Sequence, residues 1–353
     1  MTAGALRLES VSGQVVHQRS FGLHKILLRA FLAIAPCLLG LLSLLSLPSA
    51  LALTSDSDYP KEALRLLVGS VPGASTDAYA RIVGERLGKV LGQNIVIDNR
   101  SGASGIIATT ALVAAPADGY TLQLIYTPHT LSPTLFKSLN YNPIKDVTGV
   151  TMLIKSPLVL AVNAQEGVKS YAELIKLSEQ RLMNYGSAGI GSGGHLSAEL
   201  LRISTGMRLA HIPYRGAAPA AAALLSGDVD FAFIAQITAK ELAQAGKLRI
   251  LGITSKTRSA SMPQSPTMQE LGVKDFEFQN WFGVIVSAKT PALIVKKLNA
   301  ALLQVLAMPD IRQRLTQDGS EIVGNSAEEF TAFLNADALK WRSLAGSMEL
   351  KGD

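Results

Sequence analysis

Cysteine is almost absent from this 353-residue sequence: Cys37 is the single thiol, and it falls in an N-terminal segment expected to be removed. Disulfide scaffolding and thiol chemistry are therefore excluded from the rest of the chain, which must be held by its core. Charged residues make up 17% and aromatics 6%. Lys and Arg are scattered singly, with no basic cluster interleaved with aromatics, so a nucleic-acid partner is not expected. Histidine is also scarce: beyond residue 52 only His129, His195 and His211 remain, far apart and without a carboxylate at ligand spacing, so no metal site is expected. No fixed-period repeat emerges, which disfavours a solenoid or propeller.

Long apolar runs are missing too, except one. Arg19, His24, Lys25 and Arg29 lead into the uncharged run Ala30 to Leu47, followed by Pro48-Ser49-Ala50-Leu51-Ala52. The small residues Ala50 and Ala52 give the pattern a signal peptidase reads, so residues 1–52 are expected to be a signal peptide cleaved near Ala52, and the protein to be periplasmic. A retained anchor is disfavoured because the run is about 18 residues, at the lower limit of a span, and is interrupted by Pro36. Pro36 also stands where lipidation of Cys37 needs a small residue. Removal of this segment takes four Lys/Arg and one Glu and lowers the net charge from +6 to +3, a mildly cationic surface that suits an anionic ligand.

The remaining chain of about 300 residues exceeds one typical domain, so two lobes are expected. From Leu64 onward, short apolar or β-branched runs alternate with helical patterns, the signature of an α/β protein with mostly parallel strands. Strands are expected at 64–70, 94–98, 120–126, 158–163, 184–187, 208–213, 229–234, 249–254 and 281–287. Helices are expected at 76–91, 106–114, 171–180, 195–205, 217–225, 238–245, 291–307 and 327–344. Pro291 suits a first helical position, and Ser326-x-x-Glu329 spells a capping box. The uncharged stretches 156–164 and 281–288 suit strands that cross between lobes. They predict a discontinuous first lobe, 53–158 plus 284–353, with a second, 159–283, inserted.

Two strand–loop–helix junctions attract attention. In the first, Gly73-Ala74-Ser75-Thr76-Asp77 follows an apolar strand and opens a helix. A helix N-terminus presents unbonded N–H groups and roughly half a positive charge, so a carboxylate or phosphate can settle there without a lysine. Plain capping by Ser, Thr or Asp is the alternative. The second, Ser187-Ala188-Gly189-Ile190-Gly191-Ser192-Gly193-Gly194-His195, spends four glycines on close backbone approach. Its G-x-G-x-x-G spacing raises a dinucleotide site, but the acidic residue expected about 20 positions later is missing. A nucleophile elbow fails because Ile190 and Tyr185 stand where glycine is required before Ser192 and Ser187. No cofactor is therefore expected, and a secreted hydrolase is the weaker alternative. Thr127, His129 and Thr130 follow the third strand, where open α/β sheets bind ligands. Arg215 and Gly216, before the alanine-rich 217–223, place the nearest fixed cation beside the second loop.

Taken together, these segments resemble a known family. Tyr59-Pro60, Pro72-Gly73-Ala74-Ser75-Thr76-Asp77, Asn99-Arg100-Ser101-Gly102-Ala103-Ser104-Gly105, Ala117-Asp118-Gly119-Tyr120-Thr121-Leu122, Tyr185-Gly186-Ser187-Ala188-Gly189, His211-Ile212-Pro213-Tyr214-Arg215-Gly216, Gly246-Lys247-Leu248-Arg249 and Trp281-Phe282-Gly283 occur in the order found in periplasmic receptors of tripartite tricarboxylate transporters, the Bordetella uptake gene (Bug) family. The resemblance implies a type II periplasmic-binding-protein fold with two α/β lobes joined by crossover strands. It implies a non-enzymatic, monomeric receptor that closes on a di- or tricarboxylate, acidic amino acid or aromatic acid and delivers it to membrane permease subunits. A sensor feeding a signalling receptor is the alternative. Contacts would come from Gly73, Ala74, Ser75, Thr76 and Asp77 with Thr127, His129 and Thr130 on one side. On the other they would come from Ser187, Gly189, Ser192, Gly193 and His195 with Arg215 and Gly216. Departures at Ser70, His129 and Gln236 mark where ligand specificity is expected to differ; His129 would contact a second acidic group or shorten the pocket.

Overall fold

A computed structural model describes residues 59–136 and 138–348. The expected signal peptide, its cleavage point and Cys37 lie outside the described residues. Among the described residues ten strands form one twisted, mixed sheet. In chain order the elements are β1 (Leu64–Val68), α1 (Ser75–Leu91), β2 (Ile95–Asn99), α2 (Ile106–Ala114), β3 (Thr121–Tyr126), α3 (Pro128–Leu135) and β4 (Val147–Asn163). Next come α4 (Tyr171–Gln180), β5 (Met183–Ser187), α5 (Gly193–Thr205), β6 (Leu209–Pro213), α6 (Ala217–Ser226), β7 (Phe231–Ala235), α7 (Gln236–Gln244) and β8 (Leu248–Ile253). The chain ends with β9 (Gln279–Ser287), α8 (Ala292–Ala307), α9 (Pro309–Thr316), β10 (Glu321–Ile322) and α10 (Ala327–Leu344). The α/β expectation holds.

The strand order is β2-β1-β3-β9-β4-β7-β5-β6, with β8 and β10 also on β4. β2, β1 and β3 are mutually parallel, as are β7, β5 and β6, and these two parallel sets are joined through the antiparallel pair β9 and β4. Parallel strands are buried on both faces by their helices. Accordingly Leu64, Leu66 and Val68 pack under α1 and α8, while Leu67 and Ile125 pack under α2 and α10. On the other side, Tyr185, Leu196, Phe231 and Phe233 form one core and Val159, Ala223, Leu224 and Ile234 another. Among the described residues no single helix is long and apolar enough to cross a membrane.

Several elements depart from the sequence expectation, α9 and β10 among them, which no expected segment covers. β4 begins at Val147 rather than Leu158: its first part pairs with β9 and its last part with β7 and β8. Two bulges, beside Val150 and Leu153, shift its pattern, and Pro157 stands where the pairing with β9 ends. α3, unexpected, starts with Pro128 at its first position, where the missing N–H costs nothing. Pro291, expected as the first helical residue, is instead the N-cap of α8, with ψ 136°.

The capping box forms as spelled: Ser326 Oγ accepts from Glu329 N–H at 3.1 Å and Glu329 Oε2 accepts from Ser326 N–H at 2.9 Å. Ser326→Ala should cost about 1 kcal/mol in denaturant unfolding. A change below a few tenths would show that packing alone fixes the start of α10.

Candidate functional site

At the end of β1 the chain turns through Gly73, φ 84°, into α1. The N-cap is Ala74, which has no side chain to cap with, and the first intrahelical bond runs from Ala78 N–H to the Ala74 carbonyl. The N–H groups of Ser75, Thr76 and Asp77 thus begin the helix without intrahelical acceptors. Asp77 is buried, accepting from Arg81 Nε and Gly73 N–H at 2.9 Å and from Asn99 Nδ2 at 2.9 Å. The Arg81 hydrogen bond, with those of Gly73 and Asn99, holds its carboxyl down to about 2. Asp77 thus braces the loop. Beside it, the buried Ser70 hydroxyl makes no hydrogen bond among the described residues.

The second loop leaves β5 at Ser187 and enters α5. Ser192 is the N-cap and its Oγ accepts from His195 N–H, which leaves the N–H groups of Gly193 and Gly194 without a helical acceptor. Two histidines pin the loop from below. His195 is fully buried, its Nδ1 accepting the Gly191 N–H at 3.0 Å. It stacks on His211 with centroids 4.1 Å apart, and His211 Nε2 lies 2.6 Å from Ser187 Oγ. His195 and Ser187, expected as ligand contacts, therefore hold the loop rather than face solvent. The loop after β6 joins them, because Tyr214 N–H donates to the Ser187 carbonyl at 2.9 Å. Arg215 is exposed there, and among the described residues no carboxylate pairs with it.

Thr127, His129 and Thr130 are likewise buried, contrary to their expected place as open contacts. The reason is α3, which draws them into the protein's frame. Thr127 Oγ1 accepts from Trp281 N–H at 3.3 Å, and Thr130 donates to Asp337 at 2.5 Å. His129 Nε2 is 2.8 Å from the Pro143 carbonyl, so that nitrogen carries the hydrogen. Gln236 is also committed, donating to the Gly319 carbonyl and accepting from Ser261 at 2.9 Å each.

The strand β9 relates the two junctions. A Cβ on Gly193 would lie 2.4 Å from Asn280 Oδ1, and Tyr79 in the first turns of α1 packs edge-on at 4.7 Å against Phe282. Residues two apart share one face of a strand, so the openings of α1 and α5 flank the same face of β9. Near them, Tyr79 donates to Asp318 at 2.5 Å while the neighbouring Gly319 carbonyl accepts from Gln236. Val71 and Ile190, one in each loop, are exposed. No group of three or more metal-ligating side chains converges among the described residues.

A profile described as the tripartite tricarboxylate transporter family receptor matches residues 79–350. The chain belongs to that receptor family, the Bug family. BugT of Bordetella pertussis is 33% identical over 81% of this chain and 89% of its own. A Rhodopseudomonas palustris protein solved with adipate is 33% identical, with a TM-score of 0.72 over 82% of this chain and 98% of its own. MatC from Rhodopseudomonas palustris, solved with bound malate, is 30% identical, with a TM-score of 0.69 over 81% of this chain and all of its own. The fold is that of periplasmic binding proteins, and the Bug receptor binds solute without transforming it. The sequence had missed the contribution of Asn280 and Phe282, whose alternation along β9 was its one available signal.

Burial pushes His129 down to about 4, and burial with the neighbouring His195 does the same for His211. Unfolding restores the ordinary value of 6.5, so the unfolded chain binds more protons below it. The histidines' contribution to stability is full above that value and is lost as pH drops toward 4. Melting temperatures should decline over this window, and His129→Gln should flatten the decline. An unchanged profile in that variant would remove His129 as a source of acid sensitivity. Asp77 adds its own loss only at lower pH.

Proposed function

We propose that this Bug receptor captures a small carboxylate-bearing metabolite, of the di- or tricarboxylate, acidic amino acid or aromatic acid class, and delivers it to a tripartite tricarboxylate permease. The lobes would be 53–158 plus 284–353 and 159–283, closing by hinge motion about β4 and β9. The observation that carries the reading is the placement of two helix openings, α1 and α5, against one face of β9. One opening has an alanine N-cap and the other two glycines. N–H groups of Ser75, Thr76, Gly193 and Gly194 would hold the carboxylate, with the Ser70 hydroxyl as a further partner and Arg215 supplying long-range attraction. Adipate and malate in similar receptors suit the same chemistry. Upon closure, Val71 and Ile190 would cover the rim.

The test is thermal unfolding of the purified protein with mono-, di- and tricarboxylates. A true ligand at 100 times Kd should add about 2.7 kcal/mol. If no carboxylate raises the melting temperature and none co-purifies, the assigned ligand class fails. Delivery is tested separately by uptake in cells that carry or lack the receptor gene.

A further inference from the structure

β9 has a second face. Gln279 and Trp281 alternate with Asn280 and Phe282 and line a separate cavity of about 320 Å³ between β4, β9 and α10. Its volume lies at the small end of ligand pockets, which run roughly 300–1,000 Å³, and suits a single-ring molecule.

The chemistry of its walls is unbalanced. Lys256 pairs with Glu277 at 3.1 Å, and Lys340 donates to the Glu277 carbonyl at 3.1 Å while lying over the Trp341 ring. Asp337 is already taken by Thr130, Trp281 and Trp341, and burial pushes its carboxyl upward. Lys155 lies between Trp281 and Glu321 on the neighbouring strands, 5.5 Å over the Phe333 ring, and makes no ion pair among the described residues. The cavity thus holds an ammonium that no carboxylate among the described residues bonds directly. It also holds an unmatched acceptor, because Gln279 Oε1 is buried and makes no hydrogen bond among the described residues. A buried polar atom left unmatched costs free energy that a ligand recovers.

We propose that this cavity is a second small-molecule site, for a flat organic anion that also carries one hydrogen-bond donor, as a hydroxybenzoate does. The anion meets Lys155, the donor meets Gln279 Oε1, and the ring lies among Phe333, Trp281 and Trp341. This site stands on the opposite side of β9 from the helix openings and does not depend on what those bind.

The sequence has two tryptophans, Trp281 and Trp341, and both line the cavity, so intrinsic tryptophan fluorescence reports its occupancy. Titration of the full chain with 4-hydroxybenzoate should change that fluorescence saturably, and benzoate, which lacks the donor, should bind more weakly. Lys155→Gln should weaken binding at least tenfold, and Lys155→Arg should restore it. Gly193→Val, with its fold checked by melting, should leave this response intact while losing the carboxylate stabilisation proposed above. A non-saturating change, equal affinity in Lys155→Gln, or loss of the response in folded Gly193→Val would overturn the proposal. The carboxylate reading fails by a different signal: no carboxylate gives a melting shift that Gly193→Val removes.

Discussion

Gly194→Ala should weaken carboxylate binding at least tenfold. A Cβ at Gly194 would stand 2.8 Å from the Phe233 carbonyl oxygen, a backbone atom of β7 that cannot rotate away. The opening of α5 must then shift outward, carrying the N–H groups of Gly193 and Gly194 off their positions against β9. Overpacking of this kind costs about 1–3 kcal/mol in stability, and tenfold in affinity corresponds to about 1.4 kcal/mol. Gly193→Ala is expected to be milder, because its Cβ meets the end of the Asn280 side chain, which can turn. Gly206, φ 72° at the C-cap of α5, gives the control: Gly206→Ala strains a left-handed residue by about 1–2 kcal/mol with no neighbour to displace. It should lower the melting temperature and leave affinity unchanged. Equal affinity in Gly194→Ala and Gly206→Ala would show that the glycine loop shapes the fold and not the ligand site.

The contrast between these glycines shows how far the sequence could be followed. Glycine-rich loops between a strand and a helix announced where backbone comes close, and short apolar runs placed nearly every parallel strand within a residue or two. Side-chain direction was not legible in the same way. His129, Thr127 and Thr130 follow a strand end and looked open. A helix that begins at Pro128 turns all three inward, and the pre-proline residue Thr127 gave only a weak warning of it. His195 and His211 are 16 residues apart and carry no local signal of pairing, yet adjacent parallel strands bring Tyr185 and His211 into register and the rings into a stack. Asp77 looked like a cap or a ligand acceptor; its partners Arg81 and Asn99 come from one turn along the helix and from the neighbouring strand, and only the latter is a tertiary contact. Irregularity hid the first part of β4, where two bulges interrupt its pairing with β9.

Phe330→Ala should cost about 3–5 kcal/mol in denaturant unfolding, the range for emptying a buried aromatic site, and the reason lies in two glycines of the antiparallel pair. Phe330, near the start of α10, is fully buried, with its ring in a notch over β4 and β9. A Cβ at Gly283 would fall 2.2 Å from its Cζ, and a Cβ at Gly149 would fall 2.8 Å from its Cδ1. Trp281 packs edge-on against the same ring at 5.9 Å. Gly283 thus belongs to packing: it lets the C-terminal helix lock the strand from which Asn280 and Phe282 project on the opposite face. Removing the ring leaves a cavity that two glycines cannot fill, since neither has a side chain to relax into it. Gly283→Val acts from the other direction, pushing α10 off the sheet, and should be at least as damaging. Because Trp281 touches both Phe330 and the Lys155 cavity, Phe330→Ala should also shift the tryptophan emission. A loss below about 1 kcal/mol, the low end for a far smaller deletion such as Ile to Val, would mean that α10 does not hold β9 in place.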